Sequence, residues 1–303
     1  MGRLAIKVDV DTERGTRDGV LPLAEICQRY RVPAAFLFSL GPDNMGRSLR
    51  RLFQPGFLRK VARTRVVANY GLRTLLNGVL WPGPRLGRRY EDILRRVRDR
   101  GGEAGIHCHD HYRWQNRVQG MTLDETRAEF AKARTEFHRI FGEEARFAGA
   151  PGWLCTGYSL QAYDEAGLVW GSDTRGTGPF QPRVGGQVFR TPQIPTTLPT
   201  LDEVLGRPEF PESELVAFYL RQVSQPGIHV MTVHAELEGI RYRHLFDELL
   251  AKTIRAGVEF CSLTSLVRGD SCLAARELPI CDVEWGEIPG RAGRLTIQGQ
   301  TSR

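Results

Sequence analysis

Along most of its length the chain alternates short apolar runs with amphipathic stretches of helical period, and this alternation is what most narrows its fold. Residues 4–8 read as a strand, 20–30 as a helix and 34–39 as a second strand. A basic segment follows, then a helix over 91–100 and a strand ending at Ile106. Next comes a long amphipathic helix over 122–141, with Thr122 and Glu125 in capping-box spacing. Strands over 146–148 and 169–171 bracket a helix over 158–166. A helix over 212–225, a strand over 229–233, a helix over 242–256 and a strand over 258–261 complete the pattern. Strands joined through helices run parallel, so the expected class is α/β, a parallel sheet or barrel. With 303 residues and 41% hydrophobic content, the chain can bury such a core.

Two stretches stand outside the alternation. Residues 174–199 are rich in Pro and Gly and read as a long loop, which in a compact domain is usually functional. From about Gly269 the periodicity fades, and the end of the chain reads as a mobile tail. The expected organisation is one catalytic domain over 1–268 and a tail over 269–303, without internal repeats. Six cysteines without a CxxC spacing argue against a disulfide framework and fit a reducing compartment. The first strand begins almost at once, so no signal peptide is expected, and no run of about 18 apolar residues suggests a membrane span.

The densest chemistry lies at 105–111, Gly-Ile-His-Cys-His-Asp-His. A lone histidine is more often structural, but three in five residues just after a strand favour a metal site. His107 and His111 are four apart, so on one helical turn both imidazoles would face the same way, with His109 pointing elsewhere. Such a pair needs an anionic partner. Asp9 and Asp11 close the first strand two residues apart, on one face, where one carboxylate can bind a metal and the other take a proton from its water. A calcium-type loop or simple strand-end capping is the plainer reading of those two aspartates. His234 ends the apolar run 230–233, and Asp173 follows the run 168–171. Barrel enzymes gather catalytic groups at the C-terminal ends of their strands, where all of these would meet. Two histidines and a carboxylate suit zinc first, with Mn²⁺, Co²⁺ or Fe²⁺ also compatible.

Charge is as unevenly placed as chemistry. The formal net charge is +7, yet eleven Arg and Lys residues and no acid fall between Asn44 and Tyr90, so the rest of the chain is net acidic. Within that segment Leu72, Leu75, Leu76, Val79 and Leu80 follow one helix face, and Leu49, Leu52, Phe53 and Phe57 make a shorter version. Trp81 and Tyr70 are residues that favour a membrane interface. Basic amphipathic helices of this kind are expected to lie on an anionic membrane surface. An ordinary helical insertion packed on the core is the alternative. No nucleic-acid-binding motif accompanies the charge, and no nucleic-acid partner is expected.

Taken in order, these pieces resemble the NodB-homology polysaccharide deacetylases, carbohydrate esterase family four. The family's paired acids match Asp9 as base and Asp11 as metal ligand, its two histidines four apart match His107 and His111, and its last motif matches His234 as general acid. Asp173 resembles the carboxylate that tunes that histidine. Longer blocks at 9–17, 41–47, 172–176, 193–200 and 232–239 resemble a branch that removes a formyl group from an amino sugar carried on a polyprenyl phosphate. The likeness runs from about residue 4 to 266. It implies a distorted (β/α) barrel of seven strands, here carrying the basic amphipathic insertion, and metal-dependent amide hydrolysis. It also implies a polyprenyl-phosphate-linked sugar as substrate and a peripheral place on the cytoplasmic side of a bacterial inner membrane. A deacetylase of the same family acting on another N-acylated glycan is the rival, and a non-enzymatic membrane adaptor the more distant one. In one respect the chain departs from the family: residues 148–153, Ala-Gly-Ala-Pro-Gly-Trp, lack the arginine that orients the base. Arg175 or Arg14 is expected to take that role and, with Trp153, to meet the substrate.

Overall fold

A computed structural model describes residues 2–47, 77–79, 81–268 and 278–301. The elements named here are β1 (Gly2–Val10), α1 (Val20–Tyr30), β2 (Ala34–Ser39), α2 (Leu86–Arg89), α3 (Glu91–Asp99), β3 (Glu103–Cys108), α4 (His111–Arg117) and α5 (Leu123–Phe141). They continue with β4 (Phe147–Ala148), α6 (Gly157–Ala166), β5 (Trp170–Gly171), β6 (Gln181–Val184), β7 (Gln187–Val188), α7 (Leu201–Val204) and α8 (Leu215–Val223). The last are β8 (Gly227–His234), α9 (Arg243–Arg255), β9 (Glu259–Phe260), β10 (Ile280–Gly286) and β11 (Leu295–Thr301).

Seven parallel strands form one curled sheet in the order β5-β4-β3-β2-β1-β8, with β9 also pairing β1. This curled parallel sheet is the seven-stranded, distorted barrel that the family resemblance implies. Strand β1 shows why the site lies where it does. Leu4, Ile6, Val8 and Val10 face the helices in the main apolar core, while Ala5 faces a second apolar cluster inside the curl with Ala35, Leu37, Val230 and Ile194. Lys7 and Asp9 continue Ala5's face toward the C-terminal end, so the interior turns from apolar to charged along one strand. Helix α5 is capped as its sequence predicts: Thr122 Oγ1 accepts from Glu125 N and Glu125 Oε2 from Thr122 N.

Stretches read as irregular in the sequence are ordered by pairing with each other. The second half of the expected 174–199 loop fills the gap between β5 and β8. Gly171 N donates to Pro192 O, Ile194 N to Gly171 O, and Thr197 N to Val230 O. The first half contributes β6 and β7 to a four-stranded sheet of order β11-β10-β6-β7. The expectation of a mobile tail after Gly269 is therefore corrected. Residues 280–301 form the β10–β11 hairpin, with Cys281, Leu295 and Thr296 buried. Apolar residues alternate through 281–285 (Cys, Val, Trp), and the β10 edge finds its partner in β6, a hundred residues earlier. Residues 269–277 lie outside the described residues.

The same holds for most of the basic insertion: both amphipathic patterns at 49–57 and 72–76, with Tyr70 and Leu80, lie outside the described residues. Its neck is visible. Pro42 bridges to Arg85, Asp43 N donates to Pro84 O, and Asn77 Nδ2 reaches both Glu13 Oε2 (3.3 Å) and Asp43 Oδ2 (3.1 Å). Among the described residues no helix is long and apolar enough to cross a membrane.

Candidate active site

Three strand ends, those of β1, β3 and β8, deliver the polar groups. Asp9 and His234 stand side by side in the β1–β8 register. His107 is near the end of β3 and His111 is the first residue of α4, so the two straddle a strand-to-helix turn rather than sharing one helical turn. Their rings still come together, with centroids 5.3 Å apart. Asp110 caps α4 by accepting from Arg113 N and is itself held by Asn44 Nδ2 at 2.6 Å, which ties the insertion's neck to the histidine turn. His109 turns to Glu129, 3.6 Å away.

Asp11, His107 and His111 are all buried, and each offers a ligand atom within 4.8 Å of the others. His107 Nε2 lies 3.1 Å from Asp11 Oδ1 and His111 Nε2 lies 3.4 Å from Asp11 Oδ2. Asp11 Oδ1 nevertheless accepts no hydrogen bond. Ligand atoms converging on one buried point are what a cation requires, and the mixed nitrogen and oxygen donors suit a borderline divalent ion. Burial would raise the Asp11 pKa, but His111 and then His107 outweigh it and hold the carboxyl well below its usual value. For His107 burial works against the proton, and Asp9 followed by Asp11 outweighs it.

The loop carrying Asp11 is braced from behind by a residue that sequence reasoning left without a role. Glu236 Oε1 accepts from Asp11 N (3.1 Å), Thr12 N (2.8 Å) and Thr12 Oγ1 (2.7 Å). Gly15 allows this approach, since a β-carbon there would stand 2.0 Å from the same oxygen. Glu238 Oε2 accepts from His234 N in turn. Burial, reinforced by Asp11, pushes the Glu236 carboxyl up to about 8, and burial pushes Glu238 up to about 7.

The cation in contact with Asp9 is Lys7, two residues earlier on the same strand face. Lys7 is fully buried, with Nζ 3.3 Å from Asp9 Oδ2 and 3.4 Å from Ser172 O. Arg175 is committed elsewhere: its guanidinium meets Glu203 Oε1 at 2.6 Å and donates to the carbonyls of Thr196 and Leu198. Arg14 sits half-buried at the start of the π-helical turn Gly15–Gly19. The expected pairing of Asp173 with His234 is also replaced. Asp173 accepts from Ala150 N, Tyr163 Oη and Gln193 Nε2, and burial raises it to about 6. The carboxylate facing His234 Nδ1 is Asp202, at 3.8 Å, on the first turn of α7. Burial opposes the charge on His234, but Asp202, then Asp11 and Asp9, raise its pKa to about 9.

Trp153, expected to meet substrate, is buried instead and forms the wall behind these groups. Its indole N–H donates to Thr196 Oγ1, and its ring lies edge-on to His234 with centroids 6.4 Å apart. Lys7, Arg175 and Arg291 approach the ring at 5.3, 5.0 and 4.5 Å from its centroid.

A sequence model described as polysaccharide deacetylase matches residues 15–170. A protein of Shewanella sediminis is 37% identical over 98% of this chain and 94% of its own length. It is named "Probable 4-deoxy-4-formamido-L-arabinose-phosphoundecaprenol deformylase ArnD". A protein of Wigglesworthia glossinidia brevipalpis with the same name is 31% identical over 94% of this chain and 98% of its own. Among solved structures, a Mycobacterium smegmatis protein titled as a polysaccharide deacetylase superposes with a TM-score of 0.59. It covers 87% of both chains at 16% identity, a likeness of fold.

Proposed function

The chain belongs to the polysaccharide deacetylase family, and on that premise we propose that it is a metal-dependent deformylase of 4-deoxy-4-formamido-L-arabinose-phosphoundecaprenol. The products are formate and the 4-amino sugar lipid used to modify lipid A, a modification that lowers binding of cationic peptides such as polymyxin. The observation that carries the reading is the buried Asp11–His107–His111 triad flanked by a carboxylate on one side and a charged histidine on the other. Relatives that cover nearly the whole chain and carry the deformylase name support the substrate.

Asp11, His107 and His111 are the residues to hold a divalent ion, zinc by donor set, which when bound polarises an amide carbonyl and acidifies water. Asp9 is the general base. Its Oδ2 is held by Lys7, while its buried Oδ1 accepts no hydrogen bond and faces the triad, 4.0 Å from His107 Nδ1, so it is positioned to take the proton of the attacking water. His234, kept protonated by Asp202, gives its proton to the departing amine nitrogen. Lys7 thus does for Asp9 what the arginine absent from residues 148–153 would do, from a different strand.

The substrate's lipid keeps it in a bilayer, and the basic segment 44–90 is the element that would bring the enzyme to an anionic surface on the cytoplasmic side. Its neck lines a cavity of about 470 Å³ that includes Arg47, Arg85 and His109, with Val79 and Trp81 exposed. Mass spectrometry of the purified enzyme with the formylated lipid-linked sugar should show loss of formyl; hydrolysis only of N-acetylated glycans would move the activity to the rival substrate class.

A further inference from the structure

The β10–β11 hairpin reaches the site through Thr296, whose Oγ1 donates to the carbonyls of Trp153 and Asp173, and through Arg291, in the turn between its strands. The turn is seated on α7. Gly290 has φ +87°, and a β-carbon there would stand 2.2 Å from Glu203 O, so backbone packs on backbone at the helix that carries Asp202. This places the Arg291 guanidinium on the indole of Trp153, whose edge meets His234.

Three cations surround that indole, and their contacts are unequal. Lys7 is paired with Asp9, and Arg175 with Glu203 at 2.6 Å. Arg291 Nη1 lies 3.7 Å from the same Glu203 oxygen that Arg175 already holds. Asp9 and Glu203 are the carboxylates in contact with these three cations, and at 3.7 Å Arg291 is the least closely held of them. Its direction is marked by Gly152. The position a β-carbon would take there is 2.8 Å from Gln115 Nε2 and 3.2 Å from Arg291 Nη2, so two N–H donors converge on the bare face of that glycine. Gln115 follows His111 by four residues on the same face of α4. At helical rise that is about 6 Å, the reach of a single sugar ring.

We propose that Arg291 and Gln115 form an anion subsite for the phosphate ester of the substrate, one sugar ring away from the amide under hydrolysis, so that the C-terminal hairpin is part of the active site. This rests on the proposed deformylase reading for the identity of the sugar, but not for the anion. A guanidinium and an amide N–H pair suit two oxygens of a phosphate, and the planar fork is the geometry that recognises them.

Two measurements test it, one of them without turnover. Binding of a short isoprenyl phosphate to the full chain should weaken roughly 10- to 100-fold in Arg291→Ala, partly recovering in Arg291→Lys. Inorganic phosphate at the same concentration should compete weakly, which separates an ester site from a free-phosphate site. In the second measurement, the preference of kcat/KM for the phosphate-linked formamido sugar over its phosphate-free alkyl glycoside should fall by a similar factor in Arg291→Ala. Unchanged isoprenyl-phosphate binding in both variants, or equal losses on the two sugars, would overturn the subsite. Should the wild-type chain bind the isoprenyl phosphate through Arg291 yet cleave neither sugar, the deformylase reading fails and the anion site stands.

Discussion

The polar end of the barrel and the C-terminal hairpin meet on one indole ring, yet they are built by opposite rules. On the barrel side, groups from β1, β3 and β8 are fixed by strand register, and each buried charge faces a counter-charge a few ångströms away. On the hairpin side, a turn held by a positive-φ glycine delivers a single arginine to a carboxylate that is already engaged. Register gives reproducible geometry to groups that must act in concert, as proton transfer demands. A loosely held guanidinium at the rim is better suited to capture than to chemistry. The difference suggests a division in which the barrel sets the rate and the hairpin sets which molecule is held.

The largest effect that would sharpen this contrast is on the barrel side. Asp9→Asn should lower kcat by about 10²–10⁴ while metal analysis finds the ion still bound, whereas Asp11→Ala should lose the ion itself. Lys7→Met should follow Asp9→Asn in direction with KM little changed, and Lys7→Arg should recover part of the rate; a loss confined to KM would place Lys7 on the capture side instead. Next in size is a pH effect. His234 has its pKa raised, so the protonated acid persists below about 9 and the rate should fall as pH rises through that value. Asp202→Asn removes the strongest carboxylate acting on it and should move this alkaline limb down by roughly one unit or more. A limb that stays in place would detach Asp202 from the histidine. Smallest should be Gly290→Ala, which strains the turn at φ +87° and presses on Glu203 O. It should cost about 1–3 kcal/mol in denaturant unfolding and weaken phosphate-ester binding more than kcat.

The sequence carries the barrel more plainly than the hairpin, and the reason is period. The boundaries of α1, β2 and α5 follow from apolar spacing and caps, and Asp9 and Asp11 stand out because they close an apolar strand. Lys7 was open to the same reading, since a lysine on the face of Asp9 inside an apolar strand must find an anion. Asp202 carries no such mark. It lies at the start of a four-residue helix, after a segment that crosses the barrel, and only the three-dimensional path decides that it rather than Asp173 faces His234. The hairpin escaped because β10 and β11 mix apolar with polar residues and are complete only when β6 supplies the parallel edge.

The neck of the basic segment has a consequence of its own. Residues 42–43 and 84–85 meet directly, and Asn77 locks both Glu13 and Asp43 beneath them. A segment whose two ends are already joined adds little to the closure entropy of the whole, because that entropy grows only slowly with length. The barrel can therefore carry this segment as a replaceable cassette, whose length can change without redrawing the strand ends beneath it.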